Sequence, residues 1–293
     1  MERLTFIITF PFLLLISWMP FGILYLLSDI LYYLLYHVAG YRKNVVRKNI
    51  KLSGLVKTKK EALAIERKFY RYLCDLFLEI IKVKGMSKNA MMRRFKLTNP
   101  SMLKDFARMN KSVFVMAGHY GNFEWLLSLG HNTPHTAHGI YAPLQNPYFD
   151  KYLKKVRSLH GSFLISRKKF REQFTNMQHR KELTVIGFAA DQSPQDKKKN
   201  YFRNFFGHEV PVFTGAERLG KTFDVPILMA KVRRIKRGYY ETTLNLLAEN
   251  PRTLPDYAIT DFFDEQLETL IKEDTSLYFW SHNRFKLMRQ TQQ

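Results

Sequence analysis

The sequence predicts an α/β fold, a largely parallel sheet flanked by helices, behind an N-terminal membrane helix. Three observations carry this. Hydrophobic residues make up 46% of the 293, ample for a packed core and incompatible with global disorder. From Ser112 onward, short apolar runs alternate with segments of helical spacing. No charged residue stands between Leu4 and Leu27. Composition also excludes several classes. A mean hydropathy of −0.28 rules out a polytopic membrane protein. A single cysteine, Cys74, rules out a disulfide framework and a four-cysteine zinc site, and fits a cytosol-facing protein. Lys and Arg number 47 against 25 Asp and Glu, so the net charge of +22 calls for an anionic partner: nucleic acid, anionic lipid or an acidic carrier protein.

The uncharged run is long enough to cross a bilayer core of ~30 Å at 1.5 Å rise per residue. It resumes after Asp29 as ILYYLLYHVAGY, and Trp18, Tyr25, Tyr32, Tyr33 and Tyr36 suit a membrane interface. The stretch is too long for a cleaved signal peptide and has no small-residue cleavage site. A buried core helix would be unusually apolar all round. A membrane anchor is the better reading, spanning or partly embedded with a kink at Pro20–Gly22. Arg42, Lys43, Arg47, Lys48, Lys51, Lys57, Lys59 and Lys60 follow it before the first acidic residue, Glu61. The positive-inside rule then puts the body in the cytoplasm. The basic stretch can also hold anionic headgroups, at ~1 kcal/mol per Lys or Arg near the surface. Residues 1–41 are expected to be the anchor and 42–293 a single further domain.

The remaining elements follow in order. Glu61–Val83 has one apolar face at helical spacing and contains Cys74 as a small buried residue. Ser112–Met116 reads as a buried strand, and Asn122 caps a helix running to Gly130. Thr136–Tyr141 is a strand, and Asn146-Pro147 opens a helix to about His160. Ser162–Ile165 is a strand, Lys168–Arg180 a basic helix and Leu183–Ala190 another buried strand. A polar loop from Asp191 to about Val212 comes next, then a helix at Thr214–Phe223. Val225–Val232 and Tyr239–Leu247, joined at Arg237-Gly238, form an antiparallel hairpin at one edge. Asp261–Glu273 is a late helix.

Five constellations could carry chemistry. His119 follows a buried strand directly and Glu124 falls in the first turn of the next helix, where sites form in a parallel sheet. On one helix, five residues apart, their side chains would diverge by about 140°. With His119 in the loop they can converge, the carboxylate fixing the imidazole tautomer so that the other nitrogen is a base for an alcohol. Equally, they can be a surface histidine and a glutamate favoured by the helix dipole. No G-x-S-x-G elbow, P-loop or G-x-G-x-x-G fingerprint accompanies them. A direct transfer fits this, with the substrate hydroxyl as nucleophile and a donor for the developing oxyanion. Asp191-Gln192-Ser193-Pro194 lies at the same sheet edge, as a pocket loop or a simple turn. Arg167, after another strand, is placed for a phosphate or a carbonyl oxygen, or opens a basic surface helix. His131, His135 and His138 read as loop histidines, with too few neighbouring ligands for a metal. Trp280-Ser281-His282-Asn283-Arg284-Phe285-Lys286 offers two cations around a Phe, for a phosphate or RNA, or as a solvated end.

In order, these residues resemble the late lipid A acyltransferases, the lauroyl and myristoyl transferases of the bacterial inner membrane. Mycobacterial phosphatidylinositol mannoside acyltransferases are relatives. The resemblance spans the chain: the anchor, the H-x-x-x-x-E box at His119 and Glu124, Tyr141-Ala142-Pro143, Asn146-Pro147, and Arg157 with Gly161. It continues through Arg167, Asp191-Gln192, Phe205-Phe206-Gly207, Thr214-Gly215 and the W-x-H-x-R-F-K ending. Ala142 and Asn283 depart from it, since arginine is common at both places. The resemblance implies a glycerophosphate-acyltransferase-like α/β sandwich, with His119 as general base paired with Glu124. Substrate-binding roles are expected for Asn122, Arg157, Arg167, Asp191, Gln192 and Arg284. It implies an acyl carrier protein or acyl-CoA as donor and a lipid A precursor as acceptor, at the cytoplasmic face of the inner membrane. No cofactor, metal or nucleic acid is expected. Two rivals stand beside it: an acyltransferase for a lysophospholipid, aminolipid or glycolipid, and, from the charge, a membrane-attached nucleic-acid-binding protein.

Overall fold

The computed structural model describes residues 1–194 and 201–289. The apolar N-terminus forms two helices, α1 (Glu2–Trp18) and α2 (Phe21–Tyr33), the second extended by a π-helical turn, Leu34–Val38. The expected kink is a full break. Pro20 has no N–H to donate and forces the residue before it out of helical geometry, so Met19 and Pro20 are extended, with ψ of 139° and 146°. Among the described residues, Phe21–Val38 is the one helical stretch long and apolar enough to cross a bilayer, by length and composition. These helices are inverted relative to those of a soluble core. Ile7, Ile8, Phe12, Leu15, Ile23, Leu26 and Ile30 point outward, while Ser17, Leu24 and Ser28 are buried against the body.

The body begins with α3 (Lys43–Leu52) and the long α4 (Lys59–Lys82). A capping box starts α4: Thr58 accepts from the Glu61 N–H and Glu61 accepts from the Thr58 N–H. Both apolar helices lie along α4. Lys82 at its end donates to the Ser17 carbonyl at 2.6 Å, serving a carbonyl that the end of α1 leaves without a helical partner. Gly85 passes so close to α1 that a Cβ there would collide with the Ser17 carbonyl oxygen. Gly85→Ala is therefore expected to lift α1 away, costing about 1–3 kcal/mol. A lower melting temperature and faster proteolysis near Met19 would register it; unchanged behaviour in both would disprove the contact.

Seven strands make the main sheet: β1 (Phe95–Leu97), β2 (Val113–Ala117), β3 (Thr136–Tyr141), β4 (Ser162–Ser166), β5 (Thr184–Ala189), β8 (Ile227–Lys236) and β9 (Tyr239–Ala248). Their order is β1-β9-β8-β2-β5-β3-β4, parallel throughout except between β8 and β9. The hairpin is as expected, but it is not the edge, because the short β1 pairs outside β9. Helices α5 (Lys88–Arg94), α6 (Pro100–Arg108), α7 (Pro147–Ser158), α8 (Phe170–His179), α9 (Gly215–Phe223) and α10 (Ala258–Glu273) complete the layers. Both sheet faces are covered, which is why the central strands read as continuous apolar runs. On β2, Phe114 and Met116 enter the core with Phe170, Phe174 and Phe263, while Val113 and Val115 enter the opposite one with Leu103 and Phe106.

Two expectations change locally. The helix after Asn122 is a 3₁₀ run, Phe123–Asn132. The stretch read as a loop from Asp191 contains an antiparallel pair, β6 (Tyr201–Phe205) and β7 (His208–Val212). Phe206 and Gly207 both have positive φ, 49° and 81°, which is the two-residue turn that matches strand twist. The rest of that loop, 195–200, lies outside the described residues.

Candidate active site

The site is set by sheet register. Strands β2 and β5 are parallel neighbours with Ala117 opposite Ala189. Two residues further along each strand stand His119 and Asp191, so equal offsets beyond aligned strands put them side by side. The His119 Nδ1–H donates to Asp191 Oδ1 at 2.6 Å, and the His119 backbone N–H donates to Asp191 Oδ2 at 2.8 Å. Gly118 between strand and histidine has no room for a Cβ, which would strike the Leu267 side chain. Phe123 packs edge-on against the imidazole, ring centres 4.6 Å apart, and Phe279 lies at 6.0 Å.

This pairing replaces the one expected from spacing. The carboxylate on the imidazole is Asp191, 72 residues away in sequence. Glu124 instead meets Arg157 in a two-pronged ion pair, 2.7 and 3.1 Å. From the first turn of the 3₁₀ run its side chain reaches α7, not the strand end. Its negative charge still acts on His119. Burial opposes charging the imidazole, but Asp191 and then Glu124 outweigh this and raise the His119 pKa above its usual value. Burial likewise opposes ionisation of Asp191, yet His119 and its hydrogen bonds hold that carboxyl below its ordinary range. Asp191 is thus an anion with its lone pairs directed at the histidine.

The second imidazole nitrogen, Nε2, has a different partner. The Gln192 side-chain amide lies 3.2 Å from His119 Nε2 and donates to it when the nitrogen is unprotonated. The structure therefore brings His119, Asp191 and Gln192 into direct contact, with the Glu124–Arg157 pair beside them. Arg157 uses Nε and Nη2 on Glu124, and among the described residues its Nη1 makes no hydrogen bond.

Three other expected substrate contacts stand elsewhere. Asn122 is fully buried, donating to Glu79 Oε2 at 2.7 Å and accepting from the Trp125 N–H, so it holds the turn. Arg284 is 1% exposed and donates to the Pro211 carbonyl at 2.9 Å and to Ser193 Oγ at 3.3 Å. Both are enclosed because the polar atoms they serve are themselves buried. Arg167 is exposed at the end of β4 and makes no ion pair among the described residues. The C-terminal motif is a clamp rather than a solvated end. Phe279 N–H donates to the His119 carbonyl, Gly121 N–H to the Leu277 carbonyl, and Ser193 N–H to His282 Nε2. The burial of His282 pushes its pKa down to about 4, so it is a neutral acceptor. His135 is held between the Thr133 hydroxyl and the Lys111 carbonyl, and His138 by the Thr136 carbonyl. No cluster of three metal-binding side chains occurs among the described residues.

An apolar cavity of about 190 Å³ opens beside the ion pair, between α4, α7 and Leu13 of α1. Its walls Ile80, Leu153 and Val156 are shared with a small pocket that contains Glu124 and Arg157. The carboxylate-supported imidazole thus stands within the electrostatic reach of Glu124, and the Glu124–Arg157 pair borders the greasy recess. No curated protein matches the sequence significantly. The family model for bacterial lipid A biosynthesis acyltransferases matches residues 2–287, nearly the whole chain. With that span and this site, the chain belongs to the bacterial lipid A biosynthesis acyltransferase family and is an acyltransferase.

Proposed function

We propose that this enzyme moves a fatty acyl chain from a thioester, on acyl carrier protein or coenzyme A, to a hydroxyl of a lipid A precursor. The observation that carries the reading is the His119–Asp191 pair with Nε2 directed toward Gln192, within the electrostatic reach of Glu124, which holds Arg157 at the border of the apolar recess. An acceptor hydroxyl displaces the Gln192 amide and gives its proton to Nε2 as its oxygen attacks the thioester carbonyl. The imidazolium is stabilised by Asp191, which stays ionised. Arg157 Nη1 offers a donor to the oxyanion or to an acceptor phosphate, with Glu124 holding the guanidinium in place. As the tetrahedral intermediate collapses, the C–S bond breaks, the new ester remains, and the proton passes from Nε2 to the leaving thiolate. The acyl chain lies in the recess at Ile80, Leu153 and Val156. No protein nucleophile is used.

Residues 1–41 attach the 42–293 body to the cytoplasmic face of the inner membrane in this reading. Supporting it are the outward apolar and inward polar faces of α1 and α2, and the basic run from Arg42 to Lys60. Arg167 and the neighbouring Lys168 and Lys169 are exposed and suit an acidic carrier.

Mass spectrometry of lipids from cells with and without the active gene tests the acceptor. The expected result is lipid A lacking one acyl chain in the deletion. Unchanged lipid A with an altered phospholipid, aminolipid or glycolipid profile would transfer the same chemistry to another acceptor. Retention of the protein on nucleic acid at moderate salt, with no lipid change, would favour the binding-protein rival.

A further inference from the structure

Glu79 is a fully buried carboxylate outside the reacting residues, and it is the meeting point of four elements. It projects from α4. Its Oε1 accepts from the Tyr25 hydroxyl of α2 at 2.9 Å. Its Oε2 accepts from the Asn122 side-chain amide at 2.7 Å and from the Tyr240 hydroxyl of β9 at 2.9 Å. The Trp125 indole N–H reaches the Glu79 carbonyl at 3.4 Å. One turn of α4 toward its N-terminus, Asp75 accepts from Ser28 of α2 at 2.6 Å and from Arg237, which also pairs with Asp29. Two turns back, Tyr72 donates to the Gly121 carbonyl at 2.7 Å. One face of α4 therefore grips the turn between His119 and Glu124 and the inner face of the apolar helix together.

We propose that Glu79 is a positioning residue for the catalytic turn, and that through Tyr25 it makes the geometry of that turn depend on how α2 is seated. The inference rests on the reading of His119 as the base. The chemistry of the carboxylate explains the transmission. All three of its side-chain partners donate, so only the ionised form satisfies them all. Burial and the Asp75 charge raise its pKa, the three donors oppose them, and the balance leaves it at about 7. Losing the Tyr25 donor favours protonation. Protonated on the Oε1 that Tyr25 vacates, Glu79 keeps Oε2 facing Asn122 and Tyr240, but as a neutral carbonyl oxygen it holds both donors more weakly than a carboxylate does. The Asn122 amide is then held less firmly, and with it the cap on the Trp125 N–H. A displacement of the turn by a fraction of an ångström moves Nε2 relative to the acceptor, so kcat should suffer more than KM.

The test compares full-length Glu79→Gln and Tyr25→Phe in lipid nanodiscs, with Ile23→Ala, which changes only an outward side chain of α2, as the control. Hydrogen exchange of the peptide covering residues 118–126 is read by mass spectrometry. Acyl transfer from an acyl carrier protein thioester to a lipid A precursor is measured in parallel. Glu79→Gln and Tyr25→Phe should each speed exchange in that peptide roughly tenfold. They should lower kcat about 10–100-fold with KM changed less than about twofold, while Ile23→Ala does neither. Tyr25→Phe serves where Glu79→Gln folds poorly, since it keeps the ring. Unchanged exchange at 118–126 in both variants, or equal loosening in Ile23→Ala, overturns the proposal. Full activity of His119→Ala in the same assay would instead remove the base, and the exchange result would still decide the coupling.

Discussion

Asp191→Asn is expected to lower the rate of acyl transfer roughly 10³–10⁴-fold with little change in KM. The carboxylate faces two donors, the His119 backbone N–H and Nδ1–H. An amide must turn its NH₂ toward one of them. Facing Nδ1, it selects the tautomer with the proton on Nε2, and the base is lost. His119→Ala should cost as much, and the double variant little more, because the pair works as a unit. Glu124→Gln should cost less, since it perturbs Arg157 rather than the tautomer. If Glu124 were the orienting carboxylate, that ranking would reverse. The pH profile gives a second check. The raised His119 pKa places the acid limb of kcat/KM above the usual histidine range, and activity rises with pH through it as the imidazole becomes neutral. Residual activity in Asp191→Asn should have this limb moved to lower pH. A wild-type rate in Asp191→Asn or His119→Ala would end the mechanism.

Trp280→Ala should destabilise the fold by about 3–5 kcal/mol. The ring is fully buried, edge-on to Tyr278 at 4.8 Å, and its indole N–H donates to the Thr275 carbonyl at 2.6 Å. Its own carbonyl accepts from Asn49 Nδ2 at 2.7 Å, tying α3 to the C-terminal segment. Chemical denaturation of the wild type, Trp280→Ala and Trp280→Phe separates the contributions. Trp280→Phe keeps most of the packing and loses the hydrogen bond, for a cost nearer 1 kcal/mol from that bond plus the smaller ring. Because residues 277–282 hold the backbone of His119, Gly121 and Ser193, Trp280→Ala should also slow the enzyme under conditions where it remains folded. Stability within 1 kcal/mol of wild type would show that the motif is not a clamp.

Much of this was legible in the chain. Buried strands at 113–117 and 184–189 announce themselves as unbroken apolar runs because both faces of a parallel sheet are covered. Asn146-Pro147 and Asn122 are visible caps because their side chains take the first free amides of the following helix. The short elements were not legible. The three residues of β1 carry too little alternation to register, and β7 contains Pro211, which argues against a strand unless the strand stands apart from the main sheet, as this one does. Lys88–Arg94 and Pro100–Arg108 are too brief for periodicity to separate from loops. At the site, spacing favoured Glu124 because it is near in sequence. Asp191 is brought in by register, which no local pattern encodes. The buried roles of Asn122 and Arg284 were hidden for the same reason, since polar residues read as surface until their distant partners are known.

The distance between His119 and Asp191 is fixed by the backbone ladder of β2 and β5, not by the 72 residues that separate them. That intervening chain makes β3, α7, β4 and α8 and returns, carrying Arg157 and Arg167. The His119–Asp191 pair and the two arginines are therefore carried by separate parts of the chain. A change in the length or charge of this excursion should therefore leave the contact between the two strand ends in register.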